Sequence, residues 1–161
     1  MFVQFHIFLG LIFSEILYLF FPQINLQAFF LIFLSSFLID VDHYIYYLIR
    51  KRDFNLKNSY NWFMKQVKLI HQFSISFQRK VYIGFNFLHG IEFLILLLCS
   101  GYFFSKIFYF IFIGVLFHLT LDLFYEIYSG ERLDKISTIY DFLNLKKLIF
   151  IENAYKLRKR N

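Results

Sequence analysis

The stretch IFYFIFIGVLFHLTLDLFYEI, residues 107–127, decides the fold of this chain. It is apolar over more than the ~18 residues that a helix needs to cross a bilayer. Within it, His118 and Asp122 are spaced i, i+4 and therefore lie on one helix face. Ionisable side chains inside an apolar span are costly and usually face a bundle interior or an aqueous cavity. The stretch therefore predicts a membrane helix that directs a histidine and a carboxylate inward.

Three further apolar blocks are long enough to span a membrane, namely residues 3–21, 26–48 and 83–104. The first block could instead be a signal peptide, but it lacks a basic start and a small-residue cleavage site. A soluble domain of 161 residues would struggle to bury 26 Phe and 12 Tyr. We predict an all-α integral membrane bundle of four transmembrane helices in residues 1–131. Residues 132–161 are expected to form a basic cytosolic segment that is not an independent domain.

The basic residues are unevenly distributed along the chain. Of the 17 Lys and Arg, eight lie between the second and third blocks, eight follow the fourth, and Lys106 is the remaining one. With four spans, these two segments lie on the same side of the membrane, and the positive-inside rule makes that side cytosolic. We therefore predict a multi-pass protein of the cytoplasmic (inner) membrane with both termini in the cytosol. Contact with anionic lipid headgroups accounts for the net charge of +6 without a nucleic-acid partner.

Residues 59–80, between the second and third blocks, differ in character from the predicted spans. Phe63, Val67 and Ile70 recur at helical spacing, while Lys68 occupies another face. This pattern is typical of an amphipathic helix in the cytosolic interface. Such a helix could either cap the bundle or contribute to substrate binding, and the sequence leaves both alternatives open.

Four short clusters of histidine and acidic residues lie near the ends of the predicted helices. They are His6, Asp40-Val-Asp42-His43, His89-Gly-Ile-Glu92 and His118-Leu-Thr-Leu-Asp122. In four antiparallel spans, these positions all fall in one layer at the cytosolic edge of the bilayer. Spacings of three or four residues place each histidine on one face with a carboxylate: Asp40 with His43, His89 with Glu92, and His118 with Asp122.

Histidine and carboxylate together are the donor set of divalent transition-metal sites. Hydrogen bonding between membrane helices contributes only about 0.6 kcal/mol, whereas inserting a carboxylate costs about 2.5–3.5 kcal/mol. Binding of structural zinc contributes on the order of 10 kcal/mol, which is enough to offset this cost. We predict one or two divalent ions, with zinc first and manganese or iron as alternatives. The predicted metal ligands are His6, Asp40, His43, His89, His118 and Asp122.

Other polar residues receive different interpretations. Asp42 lies on another face, where it could bind a second ion or orient a ligand imidazole. His71 lies in the interfacial segment and is expected to be solvated. Glu15, deeper in the first helix, is expected to be a protonated hydrogen-bond donor. Ser35 and Ser36 are expected to pack between helices, because no Gly-x-Ser-x-Gly motif accompanies them.

The order of these motifs resembles the membrane-bound metal-dependent hydrolase family, which is described as inner-membrane-associated. The matching residues are His6, Leu38-Ile39-Asp40-Val41-Asp42-His43, Leu88-His89-Gly90 and Phe117-His118-Leu119-Thr120-Leu121-Asp122. They span roughly the first 130 residues of the chain. The chain differs from the family in one respect, because the family commonly has His-Arg ahead of its third motif and this chain has none there. The resemblance implies a metal-dependent hydrolase.

We therefore expect metal-assisted hydrolysis at the cytosolic face of the membrane, on a lipid or lipid-linked ester or phosphoester. Asp42 and Glu92 are the predicted catalytic residues, as general base or as orienting groups. The alternatives are not enzymes. A transporter would use the same polar layer as an ion relay, a haem protein would use paired histidines, and a structural bundle would use the layer for metal or helix packing.

Overall fold

The computed structural model describes residues 3–130, 132 and 136–158. Residues 156–158 are described by their backbone only. The protein is mostly helical, as predicted. Its helices are α1 (Val3–Phe20), α2 (Leu26–Leu38), α3 (Val41–Lys51), α4 (Leu56–Ile70), α5 (Ile75–Gln78), α6 (Ile91–Phe103), α7 (Ile107–Ser129), α8 (Thr138–Asn144) and α9 (Ile151–Arg158). Two short strands, β1 (Val81–Tyr82) and β2 (Ile149–Phe150), pair in parallel, and a 3-10 turn covers Leu145–Lys147.

Three apolar helical runs in the described part of the chain are long enough to cross a membrane. They are α1, the run Leu26–Lys51 that joins α2 to α3, and α7. Helix α6 is also apolar but has 13 residues, and at 1.5 Å per residue it is about 20 Å long. It is therefore shorter than the hydrocarbon core of a typical bilayer, which is about 30 Å thick.

Two of the predicted spans differ from the observed helices. The second block was predicted as one helix, but α2 ends at Leu38 and α3 begins at Val41; Ile39 and Asp40 between them keep right-handed helical dihedral angles. The third block was predicted to be helical from Ile83, but α6 begins only at Ile91. The segment before α6 has other structure. Val81 and Tyr82 pair with β2, and Gly90 is extended (φ −136°, ψ 161°).

Helix α2 lies between α1 and α7 and packs closely against both. Gly10 of α1 faces Ser36, and a Cβ atom at Gly10 would overlap the Ser36 hydroxyl. Gly114 of α7 faces the Ile32 carbonyl and the Ser35 hydroxyl in the same way. Small residues allow the backbones of neighbouring membrane helices to approach each other closely. The serines therefore pack between helices as expected.

A second apolar core lies beside the bundle and joins the segment after α3 to the end of the chain. Ile70, Val81, Phe150 and Ile151 are buried together there. The predicted amphipathic helix is α4, which ends at Ile70 rather than continuing to Lys80.

The basic carboxyl-terminal segment is not a free tail where it is described. In particular, the Glu152 carboxylate accepts hydrogen bonds from Lys51 Nζ (2.9 Å) and Trp62 Nε1 (3.2 Å). Lys135, Lys159 and Arg160 of that segment lie outside the described residues.

Candidate metal centre

One end of the helix bundle gathers all six predicted metal ligands. The α1–α2 and α6–α7 pairs are each joined by a short connection at the opposite end, so the start of α1, the end of α2, the start of α6 and the last half of α7 converge. The contributing side chains are His6 of α1, Asp40 in the α2–α3 junction, His43 of α3, His89 immediately before α6, and His118 and Asp122 of α7. The convergence that the sequence predicted is confirmed.

Asp40 lies in the junction between α2 and α3 and directs its carboxylate into the cluster. Asp40 occupies the residue before α3, where an aspartate commonly accepts a hydrogen bond from the helix amides. Its side chain makes no such bond, and its Oδ1 atom lies 3.4 Å from His43 Nε2 and 3.4 Å from His89 Nε2 instead. The carboxylate is therefore turned away from the helix start and toward the histidines.

The six side chains form two adjoining groups, each with two histidines and one aspartate. His6, His118 and Asp122 make up one group, and Asp40, His43 and His89 make up the other. Within each group the potential ligand atoms lie within 4.8 Å of one another, and both groups could hold a metal ion. The first group is fully buried, whereas Asp40 and His43 are partly exposed.

Four atoms from the two groups meet at the centre of the cluster. His118 Nε2 lies 3.1 Å from His89 Nε2, 3.2 Å from Asp122 Oδ2 and 3.6 Å from Asp40 Oδ1. His89 Nε2 lies 3.9 Å from Asp122 Oδ2. Ligands about 2.0–2.1 Å from a tetrahedral zinc ion are separated from one another by about 3.3 Å. The central spacing is thus close to that of a tetrahedral metal site.

The outer contacts of two histidines determine which ring nitrogen faces the centre. His118 Nδ1 donates to the Ser36 carbonyl at 2.8 Å, and His89 Nδ1 donates to Asp42 Oδ2 at 2.9 Å. In a neutral imidazole the other nitrogen then carries a lone pair and no proton. Both Nε2 atoms therefore present lone pairs to the centre, which is the tautomer that metal-ligating histidines adopt when the second nitrogen is held by an acceptor.

Asp42 lies beside the cluster rather than in its centre. Its carboxylate is fully buried, and Oδ2 accepts hydrogen bonds from the Leu88 amide (3.1 Å) and from His89. These contacts hold the segment before α6 against the start of α3. Of the two roles that the sequence left open for Asp42, the geometry corresponds to orienting the His89 imidazole.

Glu92 does not share a face with His89. It accepts hydrogen bonds from the Ser137 hydroxyl and from the backbone amides of Thr138 (3.0 Å) and Ile139 (3.3 Å). The predicted pairing is wrong because α6 begins after His89, so the two residues are not on one helix. Glu92 instead anchors the start of α8. Outside the cluster, His71 and Glu15 are exposed.

A cavity of about 380 Å³ adjoins the cluster. It is enclosed by α3, α4, the segment 78–86 and the end of α7, and most of its wall is apolar. The polar part of the wall includes the side chains of Asp40, His43, Glu126 and Arg132. The partly exposed group of the cluster is therefore accessible from this cavity.

Glu126 was not predicted from the sequence. This residue is buried (4% exposed) and lines the cavity one helical turn beyond Asp122. The signal was present in the spacing, because His118, Asp122 and Glu126 recur every fourth residue and so share one face of α7. The Ser36 carbonyl was also missed, since a backbone acceptor leaves no mark in the sequence.

Comparison of the chain with protein-family models, with curated proteins and with solved structures gives no match. The resemblance to the membrane-bound metal-dependent hydrolases therefore rests on the residues of the motifs. The fold and the cluster together describe a helical protein with three candidate membrane spans and buried His/Asp groups that could hold a metal ion.

Proposed function

We propose that this chain is a membrane-embedded, metal-dependent hydrolase. The observation that carries the proposal is the pair of adjoining groups, each with two histidines and one aspartate. Catalytic zinc sites typically have three protein ligands and an open fourth position, whereas structural zinc sites have four protein ligands. The composition of each group therefore favours a reactive centre over a structural one.

The two groups suit one ion each, with zinc as the first candidate and manganese or iron as alternatives. His89 and His118 bring the two groups side by side, with their Nε2 atoms 3.1 Å apart, and adjoining ions are the arrangement of two-metal hydrolytic sites. Bound divalent ions lower the pKa of a water ligand to about 7 and polarise the scissile group.

Residues of the protein orient the histidine ligands and exclude water from one side of the cluster. Asp42 and the Ser36 carbonyl hold the imidazoles of His89 and His118 with their Nε2 atoms toward the centre. The complete burial of His6, His118 and Asp122 keeps bulk water from one side of the cluster. A substrate would approach from the other side, where Asp40 and His43 line the cavity.

Glu126 is the best candidate for the proton acceptor. Among the described residues that line the cavity, the carboxylates are Asp40 and Glu126, and Asp40 is a predicted ligand. Asp42 and Glu92, the residues predicted from sequence, do not line the cavity, and their carboxylates accept hydrogen bonds elsewhere. A carboxylate in the wall beside the metal could take a proton from the attacking water.

The membrane setting follows from the charge distribution. We propose that α6 completes a bundle of four spans, with the basic segments and the metal centre at the cytosolic face of the cytoplasmic membrane. The basic segments would then contact anionic lipid headgroups. A topology reporter fused after Asn161 should be cytosolic and one inserted near Gly101 external; the opposite result would contradict this orientation.

The function is tested on full-length protein purified in detergent without chelator. We expect about one to two zinc, manganese or iron ions per chain by elemental analysis, the range of mono- and two-metal sites. Turnover of lipid esters or phosphoesters presented in bilayers should be abolished by chelator and restored by the metal. Protein that binds no metal would contradict the proposal. Metal binding without turnover in a broad screen would leave a structural or transport role instead.

A further inference from the structure

The cavity beside the candidate metal centre has a mostly apolar wall. Phe63, Met64, Val67 and Ile70 line it from α4, and Val81 lines it from β1. Its volume of about 380 Å³ lies within the range of small-molecule sites, about 300–1,000 Å³. We propose that this cavity binds the hydrocarbon chain of a single-chain lipid whose head is an uncharged carboxylic ester; the proposal rests on the function proposed above.

The position of the polar residues indicates where the ester would lie. Asp40 and His43 occupy the part of the wall that belongs to the metal-binding cluster. An amphiphile with its chain along the α4 side would therefore place its ester group against these two residues. Hydrolysis would break the bond between the acyl carbon and the alcohol oxygen. The acyl carbon would gain the oxygen of water, and a water proton would leave with the alcohol.

The charges around the cavity disfavour an anionic head. The carboxylates of Asp40 and Glu126 line the wall, and the Asp42 and Asp122 carboxylates lie in or beside the cluster. Arg132 is the cation that lines the cavity in the described part of the chain, and its Nη1 atom donates to Asp141 Oδ1 at 2.9 Å. The proposed metal ion would attract a phosphate and also polarise an ester, but the surrounding carboxylates repel an anionic head and have little effect on an uncharged one.

The apolar wall also indicates that the occupant comes from the bilayer. Leu56 and Tyr60 of α4 line the cavity and are exposed, so this part of the wall meets the surroundings. Amphipathic helices lie at the boundary between headgroups and acyl chains. A lipid could thus pass from the membrane into the cavity without crossing water.

The test uses the single tryptophan, Trp62, as a reporter of chain binding. Trp62 stacks edge-on against Phe63 (ring centroids 4.7 Å apart), and Phe63 lines the cavity. Full-length protein in nanodiscs is titrated with a brominated long-chain acyl methyl ester, because bromine quenches nearby tryptophan. The comparison ligand is an alkyl phosphate with the same brominated chain. We expect saturable quenching by the ester and about tenfold weaker binding of the phosphate.

A matched pair of variants separates cavity binding from partition into the bilayer. Ile83→Phe adds volume in the cavity wall, whereas Ile75→Phe makes the same change at an exposed position outside it. We expect about tenfold weaker ester binding in Ile83→Phe and no change in Ile75→Phe. Metal content and the emission of unliganded Trp62 should match wild type in both variants, which establishes that Ile83→Phe is folded.

Three results would overturn the inference: quenching that does not saturate, quenching that is equal in both variants, or tighter binding of the phosphate than of the ester. None of these results bears on the proposed hydrolase function, because that function is tested by metal content and chelator-sensitive turnover. Conversely, protein without metal that still binds the ester chain would contradict the hydrolase and leave the lipid site standing.

Discussion

His89 Nε2 and His118 Nε2 lie 3.1 Å apart in a buried site, and the other nitrogen of each ring donates to an oxygen acceptor. Two neutral imidazoles held in this way direct their lone pairs at each other. Such an arrangement is unfavourable unless a cation lies between them, since lone pairs of like charge repel in a low-dielectric interior. The two nitrogens therefore favour a bound cation, which could be a metal ion or a proton.

Substitution of either histidine should remove metal from the protein. We expect His89→Ala and His118→Ala each to lower the bound metal by at least half, because each deletes a donor from a site of about three protein ligands. His71→Ala is the control, since His71 is exposed and lies outside both groups. Elemental analysis of the three purified variants provides the measurement. Equal metal content in all three variants would show that the ion, if present, is bound elsewhere.

Asp42→Asn should weaken metal binding without abolishing it. The asparagine oxygen can still accept one hydrogen bond, but the negative charge that strengthens the His89 imidazole as a ligand is lost. Substitution of such orienting groups typically costs about 10–100-fold in metal affinity. Competition with a chromophoric chelator measures this affinity, and Asp53→Asn serves as a control outside the cluster. An affinity equal to that of wild type would contradict the orienting role of Asp42.

Glu126→Gln and Glu92→Gln should differ in their effect on turnover. Glu126→Gln should reduce kcat by about 10²–10⁴-fold, the contribution of a general base, while metal content stays near that of wild type. Glu92→Gln should leave both quantities close to wild type, because Glu92 contacts the start of α8 and not the cluster. Chelator-sensitive turnover and elemental analysis are measured on the same samples. The reverse ranking would favour the residue predicted from sequence.

Gly114→Ala should destabilise the bundle more than Gly10→Ala. The added methyl group at Gly114 would meet the Ile32 carbonyl of the α2 backbone, which cannot rotate away. At Gly10 the methyl group would meet only the Ser36 side chain. Overpacking of this kind costs about 1–3 kcal/mol. Thermal unfolding in detergent compares the variants, and adding Ser36→Ala to Gly10→Ala should restore stability. No such rescue is expected for Gly114→Ala combined with Ser35→Ala.

The contact of α9 with α3 and α4 should weaken in acid. Burial raises the pKa of the Glu152 carboxyl, but hydrogen bonds from Lys51 and Trp62 lower it by more, so its pKa lies below the ordinary value of 4.5. A lowered folded-state pKa means that the stabilisation is fully present above pH 4.5 and is lost as the pH falls through the folded pKa. Denaturant unfolding followed by Trp62 fluorescence should separate wild type from Glu152→Gln near neutral pH. The difference should shrink below pH 4; a difference that is constant with pH would contradict this assignment.

Much of the architecture and nearly all of the histidine–aspartate cluster could be predicted from the sequence. Long apolar blocks predict helices, because a helix satisfies its own backbone hydrogen bonds whatever surrounds it. The short connections at residues 21–25 and 104–106 make neighbouring helices antiparallel, so residues such as His6 and Asp122, 116 positions apart, are expected at the same end. Periodicity and the order of the helices together determine this convergence.

Only the tertiary structure decided what each polar residue of the site contacts. Asp40 lies in the junction between α2 and α3 with its carboxylate toward the cluster. Glu92 is excluded from the cluster because α6 starts two residues after His89. Helix boundaries of this kind depend on competition between local and distant hydrogen bonds, here the pairing of β1 with β2 and the contact of Glu92 with α8. The cavity, which is lined by Glu126 of α7 and Phe63 of α4, depends in turn on how these helices are arranged in three dimensions. No periodicity within one helix contains that information.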